Sequence, residues 1–183
     1  IAGLIGTGVH GTGITHPSIS NHVQDATLIT STGDIIKASE NKDVLEATRL
    51  NLGAIGLVMD VTFAVVPIFF LHEQTWKQNT ESLIEEVDVL AKKHDHFEFF
   101  WDPLNDATYV KTLNPHKGPA TTRNNSTQSY VDYSHEVFPS DRNDKHTEME
   151  YSIPYQDGVE CFKKIRNLIL SKKHEVFWPV EYR

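Results

Sequence analysis

One cysteine, Cys161, is all that the 183 residues contain, so no intramolecular disulfide can form and no four-thiolate zinc site can be built. Basic side chains are also scarce. Seventeen Lys and Arg against 25 Asp and Glu leave a formal charge of −8, which repels a phosphate backbone rather than releasing counterions from it. Nucleic acid is therefore not an expected partner. Long apolar runs are missing too: the longest stretch, Val61 to Leu71, carries Thr62 and Pro67 and falls well short of the ~20 residues that cross a bilayer. No basic, then apolar, secretory leader opens the chain, which begins IAGLIGTGVHGTG without a methionine. These absences point to a cytoplasmic location, with peripheral association at a membrane surface left open. What remains is globular in composition, 39% hydrophobic and 23% charged, and long enough for one domain or two modest ones. The glycine-rich opening reads as a cut through the middle of a domain, and PVEYR stops at Arg183 inside an expected strand. Both ends are thus expected to be interior to a longer chain.

From Ile1 to Pro67, short apolar runs punctuated by glycine favour strands and tight loops over long helices. Ala26 to Ser31 and Asp34 to Ala38 read as strands joined by a Thr32-Gly33 turn. Asp43 to Leu50 reads as a short helix ended by Gly53, and Leu57 to Val66 as a β-branched strand closed by Pro67. A boundary is placed there, giving domains of residues 1–67 and 68–183. In the second, Phe69 to Lys77 reads as a strand, Thr80 to His94 as an amphipathic helix and Phe97 to Trp101 as a strand. The same order recurs in the alternating strand Thr147 to Ile153, the helix Asp157 to Leu170 and the strand Glu175 to Arg183. Two such units predict an α+β fold with a ferredoxin-like antiparallel sheet and helices on one face. Between them the polar stretch Asn105 to Lys145 is expected to be a long surface excursion, with one strand near Tyr130 to Tyr133.

Gly6-Thr7-Gly8-Val9-His10-Gly11 satisfies the spacing G-x-G-x-x-G. The dinucleotide fingerprint also needs a helix opening on the last glycine, and Thr12, Gly13, Thr15, His16, Pro17 and Ser18 offer no apolar helical stripe. The segment is expected to stay a loop. Such a loop either makes an ordinary glycine turn or holds an anion on successive backbone amides. A second small-residue cluster, Leu52 to Val58, precedes the β-branched strand.

The order GTGVHGTG, a Thr-Gly hairpin, then LEATRLNLGAIGLVMDVTFAVVP is similar to the FAD-binding domain of the vanillyl-alcohol oxidase and p-cresol methylhydroxylase superfamily. FEFFWDP, HTEMEYSIP and PVEYR resemble the C-terminal substrate domain of its aldonolactone oxidase branch, and the likeness runs over essentially the whole chain. The resemblance implies that residues 1–67 are the second part of an FAD-binding domain of the p-cresol methylhydroxylase type and that 68–183 are an incomplete substrate domain. It places Thr7, Gly8, Val9, His10, Gly11, Thr12 and Gly13 against the FAD pyrophosphate and flavin. Gly53, Gly56 and Val58 fall near the adenine end or the ring edge. Gly6 stands where the branch often has serine. The implied activity is an FAD-linked oxidation of the CH–OH group of a sugar-derived lactone or alditol, with hydride passing to flavin N5 and reoxidation by oxygen or a carrier. A chain lacking the remainder of the FAD domain would bind FAD weakly or not at all and would be inactive by itself. The alternative is a non-catalytic carbohydrate-binding or scaffold module that keeps the fold without flavin, and a nicotinamide-dependent dehydrogenase would require a helix directly after Gly11.

In an extended strand, Glu181 and Arg183 share one face. Alone, such a pair reads as a surface salt bridge worth ~0–1 kcal/mol. In the family that the chain resembles, the E-x-R pair projects toward the flavin. The resemblance thus makes Arg183 the fixed positive charge near the ring and Glu181 its orienting partner and a holder of substrate hydroxyls. The evenly spaced His10, His16 and His22 do not make a metal site at that spacing. Phe97, Phe99, Trp101 and Trp178 read as sheet core, and Cys161 as a buried thiol on its helix stripe.

Overall fold

The computed structural model describes residues 1–121, 129–139, 145–172 and 174–183. The chain divides into two compact units, Ile1–Pro67 and Ile68–Arg183. Both are α+β with wholly antiparallel sheets. Among the described residues, no helix is long and apolar enough to cross a membrane.

In the first unit a short helix, α1 (Ala2–Gly6), leads into the glycine loop. Strands β1 (Val23–Ile29), β2 (Ile35–Lys37) and β3 (Leu57–Phe63) form a sheet in the order β2-β1-β3. The Thr-Gly turn closes as the pattern predicts. Thr30 N–H donates to Asp34 O at 2.9 Å, Gly33 N–H donates to Thr30 O at 3.0 Å, and Gly33 takes the left-handed φ of +88° that its place demands. Helix α2 (Lys42–Thr48) starts on Asn41, whose side chain accepts from Asp43 N–H at 2.9 Å. Its Val44 and Leu45 pack on Ala26, Leu28 and Ala38, the buried side of the sheet.

The second unit is built on five strands: β4 (Phe70–Gln78), β5 (His96–Asp102), β6 (Ala107–His116), β7 (Ser129–Tyr133) and β8 (Val180–Tyr182). Their order is β7-β4-β6-β5-β8. Helix α3 (Thr80–Lys93) connects β4 to β5 and is capped by Asn79, which accepts from Glu81 N–H and Ser82 N–H. Helix α4 (Ser134–Val137) is a single turn, and α5 (Gly158–Lys172) precedes β8. Leu83, Ile84, Val87 and Leu90 of α3 and Phe162 of α5 bury Phe97, Phe99 and Trp101 of β5 and Val110 of β6. The two long helices therefore cover one face of the sheet. On the other face Val137 of α4 packs with Leu71, Leu113 and Tyr130 at one end.

Three expectations need correction. The stretch Asn105 to Lys145 is not only a surface excursion: its first part is β6, the ten-residue central strand flanked by β4 and β5. Its polar look comes from Thr108 and Thr112, both wholly buried. Thr147 to Ile153 forms no strand. Alternation says which residues would share a face, but a strand also needs an edge, and the free side of β5 is taken by β8. Met149 and Tyr151 are accordingly more than 80% exposed. The expected strand Glu175 to Arg183 contracts to Val180–Tyr182. Only the first strand-helix-strand unit, β4-α3-β5 with β6 between, is thus complete in the sheet.

A guanidinium ties this unit together. Arg166 of α5 donates through Nε and Nη2 to the two carboxylate oxygens of Asp106, at 2.8 and 2.6 Å, and through Nη1 to Glu81 of α3 at 2.6 Å. Asp106 also accepts from the Trp101 indole at 2.8 Å. The Arg166 hydrogen bond holds the Asp106 carboxyl below the ordinary carboxylate range, against a smaller opposing effect of burial. A depressed folded-state value contributes stability above the unfolded pKa of about 3.9 and loses it as pH falls through the folded value. Asp106 is 40% exposed, so the contribution is modest. Asp106→Asn, which keeps a residue tolerant of the local φ of +48°, is expected to lower stability by about 1–2 kcal/mol at about pH 7. Urea denaturation at about pH 7 and about pH 3 checks it: the gap between variant and wild type narrows at the lower pH.

Candidate functional site

Pleating divides the side chains of the second sheet. Phe99 pairs with Val110 and Tyr182, the row that faces the long helices. One step along, Phe100 pairs with Tyr109 and Glu181, and Tyr109 with Lys77. That row, with Glu98 opposite Lys111 in the next alternate position, occupies the face opposite α3 and α5. The parity of β8 is pinned by its last residue. Tyr182 stacks on Phe99 with ring centroids 4.7 Å apart and planes at 9°. Gly158 leaves the space for the Tyr182 hydroxyl, since a Cβ there would lie 2.3 Å from it. Burial raises the Tyr182 phenol pKa, consistent with a core role. With Tyr182 turned inward, Glu181 and Arg183 turn outward together.

They meet: Arg183 Nη1 is 3.3 Å from Glu181 Oε1. The second guanidinium nitrogen, Nη2, donates to Glu150 Oε2. Glu150 comes from the segment that the alternation marked as a strand, and only its position in space reveals it. The Glu98–Lys111 pair was also missed, because each residue sits in a stretch read as core strand or surface loop. Lys111 Nζ is 3.0 Å from Glu98 Oε1, and their side chains are 23% and 13% exposed.

In the first unit the two small-residue clusters come together. Leu50 N–H donates to Ile5 O at 3.2 Å and Leu52 N–H to Gly6 O at 3.0 Å, so residues 50–52 cap the end of α1. Leu50 and Leu52 are both left-handed, at φ +61° and +50°, a strained conformation for a branched side chain. Gly8, at φ +68°, lies against the Leu50 side chain. The amides of Thr7, Gly8 and Val9 donate to Gly3 O, Ile5 O and Leu4 O, so they complete α1. The amides of Gly11 and Gly13 have no acceptor among the described residues. His10 Nδ1 lies 3.0 Å from Gly11 O, and Thr12 is half-buried in the same loop. No helix follows Gly11, as the loop reading requires. Gly53 takes φ +77° in open space, and Val58 pairs with Leu28 inside β3. Gly56 has a structural reason to be glycine: at φ +127°, a Cβ would sit 2.3 Å from the Ile29 carbonyl oxygen.

An antiparallel α+β unit that carries paired carboxylates and a guanidinium on one sheet face defines the class of site, and comparison with known proteins defines the family. Residues 61–129 and 120–183 match the family model described as D-arabinono-1,4-lactone oxidase. The chain belongs to that family. It is 27% identical over 222 residues to L-gulono-1,4-lactone dehydrogenase of Mycobacterium tuberculosis (strain ATCC 25618 / H37Rv), covering 100% of this chain and 52% of that protein. It is 37% identical over 112 residues to L-gulonolactone oxidase of Scyliorhinus torazame, covering 60% of this chain and 26% of the relative. A D-arabinono-1,4-lactone oxidase of Yarrowia lipolytica is 30% identical over 105 residues, 56% of this chain and 20% of that protein. The chain thus spans about half or less of the length of these relatives.

Gly56→Ala is expected to destabilise the first unit by about 2–4 kcal/mol, because strain and a backbone clash add. Gly53→Ala, with open space around it, should cost about 1 kcal/mol. Chemical denaturation of both variants checks the ranking.

Proposed function

We propose that the protein is an FAD-dependent oxidoreductase that oxidises a CH–OH group of a sugar-derived lactone or alditol. In this reading residues 1–67 supply part of the flavin-binding domain and residues 68–183 part of the substrate domain. The observation that carries it is the outward-facing Glu181–Arg183 pair, held with Glu150 on one sheet face of a chain from this family.

The residues present fit the cofactor. Gly11 and Gly13 offer unspent amides, and a Cβ on Gly11 would meet nothing within 4 Å, so a phosphate could approach that backbone closely. Thr7, Gly8, Val9, His10 and Thr12 shape the same loop. In this reading Gly53, Gly56 and Val58 belong to the same site, Gly56 chiefly by letting the chain turn. When bound, FAD supplies the acceptor for the hydride at its N5.

The remaining work falls to the chain's own side chains. Arg183 offers a planar, cationic fork of donors to substrate oxygens and to negative charge that develops nearby. Glu181 and Glu150, one on each terminal nitrogen, fix the rotation of that fork, so no reorganisation is needed at the moment of reaction. Glu181 also has acceptor capacity for substrate hydroxyls. The relatives' names divide between oxidase and dehydrogenase, so oxygen and a carrier are both admitted as electron acceptors. The cytoplasm, or a membrane surface facing it, is the location that belongs to this reading.

Protein expressed from its complete coding sequence should purify with flavin absorbance, and anaerobic addition of L-gulono-1,4-lactone, D-arabinono-1,4-lactone or an alditol should bleach it. A colourless protein, or a flavin that none of these reduces, overturns the assignment. Arg183→Lys keeps the charge and loses the two-point fork, so kcat is expected to fall by roughly 100-fold or more. Glu150→Gln keeps a hydrogen-bond acceptor, and its kcat should fall by only about tenfold. Stopped-flow reduction of the flavin reads both.

A further inference from the structure

Resting on that functional reading, we propose that the Glu98–Lys111 ion pair is a second substrate-binding element, one that reads the exocyclic hydroxyls of a polyhydroxy lactone held at Arg183. The register is the starting point. Phe99 faces Tyr182 and Phe100 faces Glu181 across the β5–β8 pair, so the next antiparallel step sets Glu98 beside Arg183. Lys111 faces Glu98 across β5–β6. One face of three adjacent strands therefore presents Lys111, Glu98 and Arg183 in line, and the guanidinium also meets Glu181 and Glu150.

This is an alternation of donor and acceptor, and a sugar's neighbouring hydroxyls each need both. Two strand spacings of about 4.8 Å separate the β6 and β8 ends, enough for a five-membered ring at Arg183 and a short hydroxylated arm toward Lys111. The row beside it supplies apolar surface for the carbon skeleton: Phe100 and Tyr109 are paired there, and Tyr109 is 47% exposed.

The pair itself is unfinished as a structural device. Lys111 has three donors and Glu98 two acceptor oxygens. Their mutual contact at 3.0 Å is the only side-chain partnership either makes among the described residues. A largely desolvated ion pair contributes little net stability over an apolar pair of similar size. Its remaining hydrogen-bonding capacity is what a polyol would satisfy.

The test compares kcat/KM of the full-length holoenzyme for L-galactono-1,4-lactone and D-arabinono-1,4-lactone, whose exocyclic arm is one carbon shorter. Lys111→Met and Glu98→Gln are each expected to lower the longer-to-shorter ratio by roughly tenfold, the effect of losing a hydrogen bond to a charged group. Lys111→Met/Glu98→Leu replaces the pair by an apolar contact that preserves packing, and it should show the same ratio. Saturation-transfer NMR on the flavin-free protein adds a readout without turnover: the terminal protons of the longer lactone lose signal in Lys111→Met while the ring protons keep theirs. Equal losses on both lactones, with the ratio and the terminal-proton signal retained, overturn the assignment of the pair and leave the oxidoreductase reading standing. Wild-type protein that oxidises neither lactone overturns both.

Discussion

Everything on the outward face of the second sheet depends on the burial of the inward one. Phe97, Phe99 and Trp101 alternate along β5 and are all driven under α3 and α5, where Phe162 meets Phe99 and Trp101 edge-on at 5.0 and 5.9 Å. Fully burying one such ring is worth about 1.5–3 kcal/mol, so a one-residue slip that exposed three of them would be prohibitive. That constraint sends Glu98 and Phe100 to the opposite face. Through the stacked Phe99–Tyr182 pair it also sets the parity of β8, which turns Glu181 and Arg183 outward as a unit. The charged site follows from the aromatic core.

Arg166 protects this arrangement from the helix side. It fastens α5 to the N-terminal turn of α3 and to Asp106 in the β5–β6 connection, and β8 follows α5 directly in the chain. The strand that carries the candidate site is thereby attached to a helix whose position is specified by charge as well as by packing. In the first unit, the end of α1 plays the comparable part. Its last carbonyls accept from Leu50 and Leu52, and the left-handed leucines that result are the cost of bringing two small-residue clusters to one place.

The legible parts of the fold were those with a strong local period. Helices α2, α3 and α5 announced themselves through their apolar positions, and β4, β5 and the Thr-Gly hairpin through alternation and turn chemistry. Strand β6 did not, because threonines take two of its buried positions, Thr108 and Thr112, and Asn114, Pro115 and His116 end it. A buried threonine is indistinguishable from an exposed one until its neighbours are known. The reverse error occurred at Thr147 to Ile153, where perfect alternation led to no strand and the side of β5 was taken by β8. Of the site, the E-x-R pair was visible because it is local. Glu150 lies 33 positions away from Arg183, and no period in the chain links the two. Lys111 and Glu98 likewise become partners only through the β5–β6 register.

By itself the sequence determined the absence of disulfides, the acidic balance, the main helices and the fact that Glu181 and Arg183 share a face. These are consequences of composition and of backbone geometry that repeats every two or 3.6 residues. The tertiary structure alone decided which face that would be, that β6 is central, that β8 rather than Thr147 to Ile153 borders β5, and that Glu150 completes the grip on Arg183. Strand adjacency and burial are set by long-range packing, whose energy depends on residues far apart in the chain, and no local pattern encodes that choice.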